Sequence, residues 1–204
     1  MLVDRVNAAA RRLPVWAAYL MAFVPLMAVV WLVINDDLGA DPVRTLERHL
    51  GLLALRFLIL TLCITPLRRR AGLNLIRFRR VLGVATFVYA LLHLTVWVTL
   101  DLSFRWGEIG ADLIKRPYII VGMIAFLAMV PLAVTSNNWS VRRLGAAAWR
   151  RLHRLTYVAA GLGALHFVML SKVWNPELMA YTAIVLGLLG LRLVPRTRRN
   201  PISA

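Results

Sequence analysis

The stretch VLGVATFVYALLHLTVWVTL, residues 81–100, decides the fold, because it contains no Asp, Glu, Lys or Arg. An apolar run of about 20 residues is long enough to cross the hydrocarbon core of a membrane as a helix. Strands that cross a membrane are about 10 residues long and alternate in polarity, so the length of this run favours a helix. The stretch therefore predicts a membrane-spanning helix that carries one histidine, His93.

Five further runs of similar length and composition accompany this one along the 204 residues. The six predicted spans are Pro14–Ile34, His49–Pro66, Val81–Leu100, Tyr118–Thr135, Leu152–Leu170 and Leu178–Val194. Over the whole chain 60% of the residues are apolar and 17% are charged, whereas an ordinary soluble domain has about 25% charged residues. The composition excludes a soluble globule and predicts an all-α, multi-pass bundle of six transmembrane helices.

The basic residues concentrate in alternate loops, which predicts the orientation of the chain. Lys and Arg number 25 against 9 Asp and Glu, for a formal net charge of +16. With a cytoplasmic N-terminus, most of the basic residues fall on the cytoplasmic side, and Asp4 is the only acid there. The positive-inside rule then places both termini in the cytoplasm. Topology explains the basic excess, so the charge does not indicate nucleic-acid binding.

All four histidines lie in a predicted span or at its edge: His49, His93, His153 and His166. At 1.5 Å per residue, His93 lies about 20 Å beyond Arg80 and His166 about 22 Å beyond Arg151, so their depths match. Two neutral imidazoles that face each other across a bundle are the axial ligands of a six-coordinate b-type haem. The alternative is that each histidine is a structural residue of the core. The matched depths favour a haem between His93 and His166 in the outer half of the membrane.

His153 precedes His166 by about 20 Å on the same predicted span, near the cytoplasmic face. That offset suits a second, inner haem. An ideal helix rotates by about 220° over this distance, so the two histidines share a face only if Gly161 and Gly163 alter the winding. The third span offers no histidine near Arg80 to pair with His153. An inner haem would therefore be five-coordinate or take a ligand from elsewhere, and the alternative for His153 is an interface residue among arginines.

Two residues of the second span are further candidates for the haem site. His49 opens the span at the outer face. It is a candidate haem ligand or propionate donor, and the alternative is a wetted boundary residue. Arg56 lies two turns inside, where a guanidinium needs an anion or water, and a haem propionate is a suitable partner. The alternative for Arg56 is snorkelling. No acid lies at comparable depth in any predicted span, so we expect no buried ion pair within the protein for Arg56.

Two cytoplasmic loops carry facing arginine clusters, one including Arg80 and the other Arg151. Such clusters would dock an anionic donor or a flavin phosphate, or pair with the propionates of an inner haem. The alternative is topology together with binding of anionic membrane lipid. The sequence has no Gly-rich phosphate loop, so a flavin or nicotinamide must bind elsewhere or on a partner. Glycines within the spans, among them Gly83 and Gly122, let helices or a flat macrocycle approach closely.

Several motifs follow one another in the order and at the spacing of a known family. They are Gly39-Ala40-Asp41-Pro42, Thr61-Leu62-Cys63-Ile64-Thr65-Pro66-Leu67, Arg79-Arg80-Val81-Leu82-Gly83, Tyr89-Ala90-Leu91-Leu92-His93-Leu94-Thr95, Lys115-Arg116-Pro117-Tyr118, Leu152-His153-Arg154-Leu155 and Leu165-His166-Phe167. From about residue 14 to 190 the chain resembles the MsrQ family, the haem-binding membrane subunits of a periplasmic methionine-sulfoxide reductase system. That family is related to ferric reductases and NADPH oxidases, whose membrane domains carry stacked haems.

By this resemblance His93, His153 and His166 match the haem histidines of the family. Members often carry a histidine one position before His49, where this chain has Arg48. The resemblance implies a subunit that takes electrons from the quinone pool or a cytoplasmic flavin reductase. It passes them through haem to a periplasmic molybdenum-containing catalytic subunit that reduces methionine sulfoxide, and has no substrate-reducing site of its own. A flavin mononucleotide (FMN) is also ascribed to the family, and no residue of this chain can be assigned to it.

Three other functions compete with this one. A self-sufficient ferric or quinone reductase of the complete ferric type would carry a flavin and nicotinamide domain, which the sequence lacks. A proton-coupled transporter with a histidine relay would be expected to carry intramembrane carboxylates, and none is visible. An ascorbate-type cytochrome would place its four histidines in two pairs of matched depth.

Overall fold

The computed structural model describes residues 1–171, 173 and 175–193, and every regular element in that part of the chain is a helix. The α-helices are α1 Leu2–Arg12, α2 Val15–Ile34, α3 Pro42–Arg70, α4 Arg79–Val96, α5 Trp106–Lys115, α6 Pro117–Val134, α7 Asn138–Leu152, α8 Leu155–Leu170 and α9 Pro176–Leu193. A short 3₁₀ turn, Ile76–Phe78, leads into α4, and a π-helical turn, Trp97–Asp101, continues it. The predicted end of the last span, Val194, and four of the basic residues counted for the orientation lie outside the described residues: Lys172, Arg196, Arg198 and Arg199.

Five of the helical segments are long and apolar enough to cross a membrane: α2, α3, the continuous segment Ile76–Asp101, α6 and α9. The all-helical membrane architecture is therefore confirmed. The remaining predicted span contains α8, which is apolar but has only 16 residues. At 1.5 Å per residue it extends about 24 Å, somewhat less than the hydrocarbon core of about 30 Å. A sixth crossing and the cytoplasmic position of both termini stay predictions.

Helix α3 is longer than the predicted span His49–Pro66, because polar residues continue the helix outside the apolar run. Asp41 caps it by accepting a hydrogen bond from the backbone N–H of Arg44 at 3.2 Å. Pro42 follows at the first helical position, where its missing N–H costs nothing. The helix then runs for 29 residues, so Arg56 lies midway along it and not near its end.

Three helices outside the predicted spans complete the fold: α1, α5 and α7. Helix α1 is tied to the loop before α4 by Asn7, whose side chain donates to the carbonyl of Gly72 and accepts from the N–H of Asn74. Arg77 donates to two carbonyls near the end of α1. The turn His153–Arg154 separates α7 from α8, so the fifth apolar helix begins at Leu155 and not at the predicted Leu152.

The bundle is built around two closely packed helix pairs, α3 with α4 and α6 with α8. Phe57 of α3 stacks on Tyr89 of α4 with ring centroids 5.2 Å apart. Ala160 and Ala164 of α8 are buried in the core with leucines of α3 and with Val185 of α9. Small residues let helices approach closely in a membrane. The two pairs carry the candidate site, because one histidine projects from α4 and the other from α8.

Candidate functional site

His93 and His166 face each other across the interior of the bundle. Their ring centroids lie 6.3 Å apart, and their ring planes are inclined by 74°. His93 projects from α4 and His166 from α8, so each helix pair contributes one imidazole. The structure thus brings together two of the four candidate haem histidines.

Each of the two imidazoles is held by a backbone carbonyl of the neighbouring helix. Nδ1 of His93 lies 2.9 Å from the carbonyl oxygen of Glu47 on α3, and Nδ1 of His166 lies 2.7 Å from that of Tyr118 on α6. A carbonyl only accepts hydrogen bonds, so Nδ1 carries the proton in both rings. The lone pair of each neutral ring then lies on Nε2, which is the tautomer of a metal-binding histidine fixed by a carbonyl.

The separation of the rings fits one metal ion between them. A first-row metal binds an imidazole nitrogen at about 2 Å, and the ring centre lies about 1.1 Å behind that nitrogen, so two axial imidazoles place their centroids about 6 Å apart. The observed 6.3 Å agrees with this value. In the described part of the chain no group of three or more His, Cys, Asp or Glu could hold a metal ion. Two histidines without further protein ligands suit a metal whose other ligands belong to a macrocycle, so the residues fit haem.

His153 has different surroundings from the facing pair. Its Nε2 lies 3.0 Å from the hydroxyl of Thr135, which itself donates to the carbonyl of Pro131 at 2.6 Å. The imidazole stacks on Trp149, with centroids 3.7 Å apart. Because the Thr135 proton is already donated to a carbonyl, Nε2 of His153 is the donor in this contact. An iron at Nε2 would require the contact with Thr135 to be given up.

The surroundings of His153 also keep it neutral. The residue lies in the turn between α7 and α8, outside both helices. Burial, followed by the positive charges of Arg79 and Arg80, lowers the pKa of His153 to about 4. The imidazole is therefore uncharged at neutral pH in spite of the arginine clusters around it.

A small cavity lies beside His153 between α3, α4, α6 and α8. Its volume is about 40 Å³. Its lining residues are Leu58, Gly83, Thr86, Phe87, Met129, Leu132, Ala133, Ser136, His153, Thr156 and Ala159. His153 is the one histidine among them, so the lining supplies no second imidazole. A haem there would need a ligand of another kind, or none, on its second side.

His49 lies apart from the facing pair. Its side chain is exposed, and its Nδ1 lies 2.8 Å from the carbonyl oxygen of Thr45, one turn earlier on the same helix. Among the remaining candidates, Arg80 lies near the start of α4 and Arg151 near the end of α7, and both side chains are exposed. Arg80 also acts on one of the candidate histidines, because its charge lowers the pKa of His153.

Arg56 has partners within the protein. Its Nε donates to the hydroxyl of Tyr181 at 2.7 Å, and its guanidinium lies 3.6 Å from a carboxylate oxygen of Glu177. The other carboxylate oxygen of Glu177 lies 3.9 Å from Arg48. This ion pair is half-exposed, so it does not contradict the expectation that Arg56 makes no buried one. The pair forms because the start of α9 packs beside the middle of α3, which hydropathy alone does not reveal.

The residues missed by sequence reasoning are those that act through their backbone. Glu47 and Tyr118 hold the two imidazoles by their carbonyl groups, which every residue type possesses. Gly51 and Gly122 contact the same two rings, and only Gly122 carried a sequence signal, as one of the small residues within a span. Thr135 ended a predicted span, and nothing in its position indicated a contact with His153.

Comparison of the sequence with known proteins identifies relatives of this chain. A family model described as a ferric reductase like transmembrane component matches residues 50–164. A protein-methionine-sulfoxide reductase heme-binding subunit MsrQ of Brucella anthropi is 48% identical over 191 residues, which are 93% of this chain and 86% of that protein. The subunit of the same name from Brucella ovis is 48% identical over 187 residues, 90% of this chain and 84% of that protein. The residues matched by the family model include His93 and end two residues before His166.

Proposed function

This chain belongs to the MsrQ family, with a ferric reductase like transmembrane component, and on that premise we propose that it is a membrane b-type cytochrome. It carries electrons across the inner membrane to a periplasmic methionine-sulfoxide reductase and so supports the repair of oxidised proteins. The observation that carries the proposal is the facing pair of neutral imidazoles, His93 and His166, at the separation that axial ligands require. Haem, when bound there, supplies the one-electron chemistry that side chains lack.

His93 and His166 would hold the haem from both sides, an arrangement that favours electron transfer over substrate reduction. Each Nδ1–H is donated to a carbonyl, which fixes the ring and raises the basicity of Nε2. A haem held by both imidazoles would have no open coordination site for a substrate. The substrate-reducing site therefore belongs to a separate catalytic subunit, which we propose is the periplasmic molybdenum-containing one.

The charges on the two faces support outward electron flow. Arginines such as Arg80 and Arg151 flank the proposed cytoplasmic side, where a quinol or a cytoplasmic flavin reductase delivers electrons. Acids such as Asp36 and Asp37 lie on the proposed outer side and meet the catalytic subunit. No residue of the chain is assigned to FMN. Opposite charges on the two faces raise the association rates of different partners.

A second haem beside His153 is the finer part of the proposal. His153 is neutral and lies toward the end of α8 that is remote from His166. Its use as a ligand requires Nε2 to leave Thr135 and the cavity of about 40 Å³ to widen. Arg80 and Arg151 would then balance the propionates. In the outer site, Arg56 would exchange Glu177 for a propionate, and the exposed His49 would be a boundary residue.

The test is a pyridine haemochrome assay with a redox titration on the purified full chain. We expect b-type haem in the wild type, and loss of the low-spin spectrum in His93→Ala and His166→Ala, because each leaves the iron one ligand short. His49→Ala, which changes an exposed histidine, is the matched control and keeps the spectrum. A wild-type protein without haem, or a low-spin spectrum that survives both substitutions, would refute the proposal.

A ferric or quinone reductase is the second candidate, favoured by the family description itself. The two functions differ in where the electrons leave. In vesicles with the haem reduced beforehand, oxidation by the catalytic subunit and oxidised methionine supports the first. Oxidation by a ferric chelate or a quinone, with no response to the catalytic subunit, supports the second.

A further inference from the structure

Two glycines lie against the facing imidazoles, one on each helix pair. A Cβ built on Gly122 of α6 would lie 2.7 Å from Nδ1 of His166, and one built on Gly51 of α3 would lie 3.2 Å from Nδ1 of His93. Both distances are shorter than the 3.4–4 Å of ordinary contact. The imidazoles therefore occupy the space that a side chain at position 51 or 122 would fill.

The two glycines have the same relation to the carbonyls that hold the rings. Gly51 follows Glu47 by four residues, and Gly122 follows Tyr118 by four. In an α-helix the carbonyl at position i−4 accepts from the N–H at position i, which leaves it a second lone pair. A helical side chain covers the turn on the N-terminal side of its own Cα. A glycine at position i therefore leaves the carbonyl at i−4 uncovered.

We propose that Gly51 and Gly122 are positioning residues for the axial imidazoles: each uncovers the carbonyl one turn earlier, so that the facing histidine can donate its Nδ1–H to it. The two sites are built alike on separate helix pairs. Together they fix the near-perpendicular arrangement of the rings, 74° between their planes. This inference rests on the proposed haem between His93 and His166.

The distances predict unequal effects for the two positions. At 2.7 Å a methyl group on residue 122 forces the ring of His166 to move, which breaks its hydrogen bond to the carbonyl of Tyr118. At 3.2 Å a methyl group on residue 51 requires a shift of only a few tenths of an ångström. Gly122→Ala should therefore disturb the site more strongly than Gly51→Ala.

The experiment compares Gly122→Ala and Gly51→Ala with Gly163→Ala in the haem-loaded full chain. Gly163 lies on α8 three residues before His166, and a Cβ there meets nothing within 4 Å, so it is the matched control. The readouts are the electron paramagnetic resonance spectrum of the ferric protein, its midpoint potential and the rate of haem loss. The largest g value of a low-spin ferric haem depends on the angle between its axial imidazole planes, so it reports ring orientation and not folding alone.

We expect a shifted g value and haem loss accelerated about 10- to 100-fold in Gly122→Ala, the range for losing a hydrogen-bond partner of a metal ligand. Gly51→Ala should show a smaller change in the same readouts, and Gly163→Ala none. If Gly122→Ala does not fold, the comparison of Gly51→Ala with Gly163→Ala in the same readouts tests the inference. Variants that match the control, or a larger change in Gly51→Ala than in a folded Gly122→Ala, overturn the inference. A wild type without haem refutes the proposed function instead.

Discussion

Replacing Glu177 with Gln removes the carboxylate that joins α9 to α3 and leaves Arg56 without its ion pair. The guanidinium lies 3.6 Å from that carboxylate, and the two side chains are 49% and 41% exposed. At this distance and an effective dielectric constant of about 20, two unit charges attract by about 5 kcal/mol before desolvation is subtracted. Breaking a buried pair costs about 3–5 kcal/mol and a solvent-exposed one about 0.2–1 kcal/mol. For this half-exposed pair we expect a loss of about 2 kcal/mol.

The converse substitution, Arg56→Gln, should cost less, about 1 kcal/mol or below. It removes the charge that is costly in the membrane, and the amide of Gln can still bond to the hydroxyl of Tyr181. Glu177 keeps Arg48 at 3.9 Å. We expect Glu177→Gln to cost more than Arg56→Gln, because an unpaired cation within a membrane costs more than an acid that still has a partner.

The assay is thermal unfolding of the purified protein in bicelles, followed by tryptophan fluorescence. For a chain of about 200 residues, 1 kcal/mol shifts Tm by about 2–4 °C, so Glu177→Gln should lower Tm by about 4–8 °C. Arg48→Gln is the matched control, with an expected change below about 0.5 kcal/mol. A double-mutant cycle between positions 56 and 177 should give a coupling of about 1 kcal/mol. A coupling below about 0.3 kcal/mol, or a larger cost for Arg56→Gln than for Glu177→Gln, would refute the reasoning.

Three further predictions concern other parts of the molecule. Thr135→Val leaves Nε2 of His153 without its hydrogen-bond partner, which should lower the free energy of unfolding by about 1–3 kcal/mol. The optical spectrum of the outer haem should stay unchanged, and a changed spectrum would contradict the separation of the two sites. A fluorescent reporter fused to the C-terminus should be active in the cytoplasm, and activity only in the periplasm would reverse the proposed electron flow. Replacing Asp36, Asp37 and Asp41 together with Asn should slow oxidation of the reduced haem by the catalytic subunit several-fold at low salt. The difference should vanish at high salt, where such charges are screened. An equal rate at low salt argues against docking at this face.

The sequence predicted the helices whose burial in lipid dictates their composition. The boundaries of α2, α6 and α9 agree with the apolar runs to within about two residues, because a chain that leaves the hydrocarbon changes composition at once. The same criterion predicted a span shorter than α3. The first turns of α3 carry Arg44, Glu47 and Arg48 and therefore lie outside the apolar run. The apolar run also placed the start of the fifth span at Leu152, the last residue of α7, because apolar composition does not show the turn at His153.

The candidate site was predictable only in its two facing imidazoles. Depth along two helices was enough to pair His93 with His166, because the rise per residue is fixed. The carbonyls that hold the rings could not be predicted, since an exposed helical carbonyl depends on the absence of a side chain one turn later. The partner of Arg56 was hidden for another reason, since it depends on how α9 packs against α3 and not on either helix alone.

The origin of the two imidazoles has a consequence for how the protein matures in the cell. One ring comes from the α3–α4 pair and the other from the α6–α8 pair, which the ribosome completes later. If the proposed haem binds between the two rings, neither half of the chain supplies both of its ligands, so its capture would await the insertion and docking of α8. A ligand that binds only the assembled form stabilises it by mass action. On the proposed function, the supply of haem would then control the maturation of the protein. Under haem starvation the two helix pairs would lack the cofactor that joins them, and we expect membrane proteases to degrade the apoprotein faster than the haem-bound form.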